Sequence, residues 1–203
     1  LLNIWQDESL SADDDSPTQT DPGFQPTYRS DLSASINGEP IVRFFPNNFL
    51  QFVSADDINN AGPYTERTTI LAFRTGTDIT TRQILYEQGG NVRGLNIYIY
   101  QDSLFMGAYD LVNDPDGTPT WGYTYTKVPV QPNTVFVVSH LFDGPLGATT
   151  GSITGYLNGQ IFSSYTGGSG PATGVGSLWT HPNTPGLGSC NGQTVVEGNT
   201  VIN

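Results

Sequence analysis

The run Asp110-Leu111-Val112-Asn113-Asp114-Pro115-Asp116-Gly117 sets several oxygen donors around a glycine turn. Hard cations such as calcium prefer oxygen ligands gathered in this way. Asp110, Asn113, Asp114 and Asp116 are therefore candidate calcium ligands. The run lacks the full EF-hand spacing and its closing glutamate. Asp, Asn, Gly and Pro also build ordinary turns, so an acidic hairpin loop is the plainer reading. Asp13-Asp14-Asp15 is a weaker cation candidate.

A second set has chemistry suited to binding. Tyr98, Tyr100, Tyr109, Trp121, Tyr123 and Tyr125 fall within one stretch of chain. Aromatic faces stack on the C–H surfaces of sugars, and tyrosine adds a hydroxyl for hydrogen bonding. Tyr98, Tyr100, Trp121, Tyr123 and Tyr125 are the ligand-binding candidates. Aromatic side chains also fit a pleated surface for packing reasons alone, and for any single member that is the plainer role.

Catalytic patterns are weak by comparison. Retaining glycosidases hold two carboxyl groups about 5–5.5 Å apart, which on a strand calls for acids alternating along one face. Glu66 and Glu87 stand alone in their strand-like runs. Gly167-Gly168-Ser169-Gly170-Pro171 breaks the G-x-S-x-G nucleophile pattern at its last position and lacks a strand-to-helix context. His140 and His181 are not at zinc-site spacing. His140 is expected to pack within its strand and His181 to sit in a loop beside Trp179. A non-enzymatic role is expected.

Composition narrows the partners. Only 13% of the 203 residues are charged and the net charge is −12, with Lys127 the only lysine. Such a surface repels phosphates and has no basic patch to release counterions, which excludes nucleic acid as a partner. An acidic, lysine-poor chain suits an extracellular or cell-surface setting, where charge maintains solubility. One cysteine, Cys190, rules out an internal disulfide framework. No run approaches the roughly 20 apolar residues of a membrane helix. The chain opens on Leu1-Leu2-Asn3 without a basic region or an initiator Met, which suggests a mature or partial product.

The elements that must carry these residues are strands. Apolar residues alternate over short runs cut by Gly, Pro, Asn and Asp, the spacing of an all-β sandwich. Strands are expected over 40–45 and 49–53, joined as a pair through Pro46-Asn47-Asn48, and then over 68–75, 83–88 and 95–100. In the last, Leu95, Ile97 and Ile99 point to the core, while Asn96, Tyr98 and Tyr100 form a polar-aromatic face. Residues 103–109 return after the Gln101-Asp102 turn, and 121–126 places Trp121, Tyr123 and Tyr125 on one side. Residues 135–142 are apolar on both faces and read as a central, fully covered strand. Runs 152–157 and 160–165 flank Asn158-Gly159, a strong hairpin signal. Residues 6–39 read as a loop-rich lead-in and 166–194 as a long surface loop. The expected core includes Leu95, Ile97, Ile99, Val135, Val137, Leu141 and Phe44.

Four stretches in order resemble the LamG-like, concanavalin A-like superfamily of bacterial secreted and surface proteins. Asn3-Ile4-Trp5-Gln6-Asp7-Glu8-Ser9 looks like its opening W-x-D-x-S segment. Gln25-Pro26-Thr27-Tyr28 with Ile36-Asn37-Gly38-Glu39-Pro40-Ile41-Val42-Arg43-Phe44 looks like its P-T-Y … N-G-x-P-V-V-R-F stretch. Residues 135–144 and 151–159 look like its F-D-G … Y-x-N-G hairpin region, and Pro185-Gly186-Leu187-Gly188-Ser189-Cys190-Asn191-Gly192 resembles its l-G-x-x-N-G step. The resemblance implies a two-sheet antiparallel jelly roll over 1–203, lacking the family's first and last strands, which further residues or a neighbouring chain would supply. It implies a non-catalytic extracellular binding or adhesion module for glycans or other surface ligands. The alternatives are a structural subunit of a filament or sheath completed by neighbouring strands and, less favoured, a polysaccharide-cleaving enzyme.

Overall fold

A computed structural model describes residues 1–8, 15–52, 62–162, 164–165, 168–169, 172–179, 185–189 and 192–203. The early strands are short: β1 Pro17–Thr18, β2 Thr27–Arg29, β3 Ile41–Arg43 and β4 Leu50–Phe52. Long strands follow as β5 Glu66–Arg74, β6 Gln83–Gly89, β7 Arg93–Tyr100, β8 Ser103–Asp110, β9 Gly122–Pro129, β10 Val135–Asp143 and β11 Gly151–Leu157. The chain then forms β12 Gln160–Phe162, β13 Ser164–Tyr165, β14 Gly168–Ser169, β15 Ala172–Val175, β16 Gly186–Leu187, β17 Thr194–Val196 and β18 Thr200–Ile202. No helix among the described residues is long and apolar enough to cross a membrane.

The protein is all-β, antiparallel and sandwich-like. One sheet runs β1-β4-β16-β6-β7-β8-β9 and the other β12-β11-β10-β5, with β15 also on β11. A shared core joins them: Leu95, Ile97, Ile99, Leu104, Met106 and Ala108 from the first meet Phe136, Val138, Phe142 and Ile153 from the second. Tight turns fix the registers. Gln101 and Asp102 take φ of 47° and 59°, and Asn158 and Gly159 take 50° and 78°. Paired positive φ values of this kind match the right-handed twist of the strands they join.

Leu95, Ile97 and Ile99 face the core as expected, but Asn96 and Tyr98 on the opposite face are equally buried. The cause is the β17–β18 hairpin, which packs across that face and brings Val196 and Ile202 onto Ile84, Tyr98 and Phe105. A bulge at Leu85 explains how Ile84 and Tyr86, two residues apart, serve opposite sides: Ile84 lies opposite Tyr98 and Tyr86 opposite Ile97.

Several expectations need correction. Residues 40–45 and 49–53 do not pair with each other. β3 pairs β2, whereas β4 joins β1 and β16. The intervening turn does form, with Asn48 N donating to the Phe45 carbonyl at 2.9 Å. In β10 the inward residues are Phe136, Val138, His140 and Phe142; Val135 and Leu141 are half-buried and Val137 is exposed. With apolar residues on both faces, the pattern alone could not select the inner one, and a one-residue choice exchanges the faces. Phe44 is only half-buried. Residues 166–194 are not one surface loop: they supply β14, β15, β16 and the first residue of β17, with Ala172, Val175 and Leu178 in the core.

His140 lies between the sheets, 1% exposed, with no hydrogen-bond partner for Nε2 among the described residues. Burial pushes its pKa down to about 4. A folded-state value below the usual 6.5 means the unfolded chain binds the extra proton first. The stability tied to the neutral imidazole is complete above pH 6.5 and is lost as pH falls towards 4. His140→Leu is therefore expected to lessen acid destabilisation between pH 7 and 4 by up to about 3 kcal/mol. Urea midpoints across that range check it.

Candidate functional site

Two constellations hold the residues of interest, both on the β7–β8–β9 meander. At one end of it, Asp110 closes β8 and is paired across the sheet with Arg93, the first residue of β7. Asp114 folds back in the following turn, where Gly117 N donates to its carbonyl at 3.0 Å. Arg93 Nη2 lies 2.6 Å from Asp114 Oδ1, and its Nε lies 3.9 Å from Asp110 Oδ1. Both carboxyl side chains are sealed from solvent.

Burial raises both carboxyl pKa values. Asp114 is pushed up to about 7 by desolvation and then by the charge of Asp110, against the pull of Arg93. Asp110 is raised by the same burial, partly offset by the Val112 N–H that donates to its Oδ1. The arrangement is a buried acid pair with one guanidinium as counter-charge.

The four cation-ligand candidates are not all brought together. Asp110 and Asp114 face each other and Arg93. Asp116 turns instead to Thr118 N at 2.9 Å and to the Ser177 hydroxyl at 3.1 Å, and Asn113 is exposed. Among the described residues, no group of three or more His, Cys, Asp or Glu side chains is gathered as metal ligands. Asp13 and Asp14 lie outside the described residues, as does His181.

The aromatic set divides in two. Trp121 does not share a side with Tyr123 and Tyr125. Gly122, at φ +73°, breaks the alternation between them, and the indole turns into the main core beside Phe142, with ring centroids 6.4 Å apart. Glycine adopts that φ more readily than any residue with a side chain.

The remaining rings line the opposite face of the sheet. Tyr98 stacks on Phe105 at 4.8 Å and 6°. Its phenol donates to Glu197 Oε2 at 2.5 Å, and burial together with that carboxylate pushes the phenol's pKa up. Glu197 also holds Arg82 Nη2 at 2.6 Å, and the guanidinium lies 4.0 Å from the centre of the Tyr100 ring. Tyr109 sits over the Gly89–Gly94 pair, where a methyl group on either glycine would come within 2.8 Å of its phenol oxygen, and it donates to the Gly90 carbonyl at 2.7 Å.

Asn96 ties this face to the C-terminal hairpin. Its amide donates to Thr194 Oγ1 at 3.0 Å and to the Val195 carbonyl at 2.7 Å, while its Oδ1 accepts the Tyr123 hydroxyl at 2.9 Å. Tyr98, Tyr109 and Asn96 thus dock the chain's own hairpin. Tyr100, Tyr123 and Tyr125 remain half-buried at its margin, with Tyr123 and Tyr125 stacked at 5.3 Å and 25°. Lys127 extends the same face, 5.5 Å from the centre of the Phe105 ring.

Sequence reasoning missed Arg93, Arg82, Asn96, Thr194 and Glu197 as members of these networks. Arg93 had a usable signal: once Gln101-Asp102 is read as a two-residue turn, strict pairing places residue 93 opposite residue 110. Thr194 and Glu197 lie too far along the chain for any local pattern to link them to β7. Compared with known proteins, the chain matches no family model and no curated protein.

Proposed function

We propose that this chain is a non-catalytic binding module of a secreted or cell-surface protein, a LamG-like jelly roll that takes glycans at the tyrosine strip beside its C-terminal hairpin. The observation that carries this reading is the half-exposed Tyr123–Tyr125 stack on β9. Two rings held nearly parallel offer a sugar a stacking surface whose geometry is set before binding. Tyr100, held by Arg82, offers a further ring at the margin of the same face. The low charge content and the acid excess support a neutral or weakly basic glycan over a polyanionic one. The sealed position of Asp110 and Asp114 supports a structural role for that acid pair, because no substrate reaches it.

The test is affinity electrophoresis through gels containing different neutral polysaccharides, with hits followed by calorimetry. At least one polysaccharide is expected to retard the protein. Tyr125→Ala should weaken binding about threefold to tenfold, the scale of one aromatic contact, without a matching loss of thermal stability. Undiminished binding by Tyr125→Ala, or no retardation by any polysaccharide, would overturn the proposal.

A further inference from the structure

The longest strand edge left without a strand partner among the described residues belongs to β5, nine residues at the border of its sheet. Its hydrogen-bonding direction follows from the register. Thr75 N donates to the Thr134 carbonyl and Gly144 N to the Thr65 carbonyl, so odd-numbered residues turn their backbone groups towards β10. Backbone direction alternates along a strand. Glu66, Thr68, Ile70, Ala72 and Arg74 therefore aim their N–H and C=O groups at the open edge, and these are also the exposed side chains of the strand.

Natural sheets blunt such edges with Pro, Lys, bulges or very short strands. The other sheet borders follow that practice: β1 has two residues, β12 has three, and β9 carries Lys127 and Pro129. On β9, Tyr123 N is also occupied by Asn199 Oδ1. β5 has none of these devices. It pairs with β10 without a bulge and is uncharged from Thr68 to Phe73.

The strand is complementary to itself. Turned about a two-fold axis through Ile70, one copy sets Glu66 against Arg74 of the other, Thr68 against Ala72, and Ile70 against Ile70. Both ends become opposite-charge pairs, and every outward backbone group gains a partner. Arg74 already donates to the Ser35 carbonyl at 2.9 Å through Nη2, and its other guanidinium donors remain for the carboxylate. The outer faces would join as well, running from Ile70 through Ser139 and Tyr156 to Ile161 in each copy.

We infer that the free edge of β5 is the dimerisation surface of this protein, where a second copy pairs antiparallel about Ile70 to make one continuous sheet. The contact is isologous and so closes at two copies. It does not depend on the glycan reading.

Sedimentation velocity of the full chain over a wide concentration series tests it. The wild type is expected to reach dimer mass. Ala72→Pro removes only an outward N–H, which an edge strand tolerates, and should leave a monomer with an unchanged circular dichroism spectrum. Glu66→Arg and Arg74→Glu each place like charges opposite each other in their own dimer and should be monomeric. An equimolar mixture of the two should regain dimer mass, because the exchanged pairs are again opposite in charge. This mixing result decides the matter if Ala72→Pro fails to fold. A wild type that stays monomeric, an open-ended series of larger species, or a mixture that stays monomeric overturns the inference.

Discussion

Arg93→Ala is expected to lose about 3–5 kcal/mol of stability at neutral pH, the cost of leaving buried charge without its partner. Asp110 and Asp114 would then face each other with no cation beside them. The loss should depend on pH in a definite direction. Both carboxyls titrate above their ordinary values, Asp114 near 7, so between about pH 4 and 7 the folded chain holds more protons than the unfolded chain. Stability from this pair is complete in acid and drains away as pH rises through about 7. Without Arg93 both carboxyls rise further, so the variant should approach the wild type near pH 5 and fall far below it at pH 8. Urea unfolding of the two proteins at matched pH values checks this, and the contribution of His140 cancels in the difference. A penalty that is the same at both pH values would contradict the electrostatic account.

Asn96→Leu is the second large effect. The substitution is close in volume but leaves the Val195 carbonyl and the Tyr123 and Thr194 hydroxyls short of a partner. Each buried group stranded in this way costs about 1–3 kcal/mol, for a total near 3 kcal/mol or more. The loss should concentrate in the hairpin, because among the described residues β17 and β18 pair only with each other, and Asn96 ties them to the sheet through its side chain. Hydrogen exchange should show residues 194–202 losing protection well before β7 and β8. Uniform loss of protection across both sheets would show instead that the hairpin is part of one cooperative unit.

Much of the central fold was legible because its signals are local. The alternation of Leu95, Ile97 and Ile99 and the turns at Gln101-Asp102 and Asn158-Gly159 place β7, β8 and β11 within a residue or two of where they lie and fix the start of β12, which ends at Phe162 rather than Tyr165. Face assignment failed where both sides of a strand are apolar, as in β10, and where one residue of unusual φ intervenes, as Gly122 does before Tyr123. The aromatic face was identified, but its cover was not. Asn96 and Thr194 are 98 residues apart, and nothing in either segment announces the other. The acid loop was read from its composition alone, whereas its nearest charge comes from across the hairpin.

The larger sheet also has an order of assembly built into it. β6 to β9 form a meander whose pairings join neighbours in sequence and can close as soon as that stretch of chain exists. β1 and β4 cannot join so early. β4 reaches β6 only through β16, with Gly186 set opposite both Gln51 and Glu87. Residues near the amino end must therefore wait, unpaired on that side, until residues 186–187 have been made. Contacts of such long sequence separation slow folding, because loop closure precedes any gain from the contact. Once β9 has emerged, the chain would carry a formed meander beside a loose amino-terminal segment, with β1 and β4 joining the sheet when residues 186–187 follow.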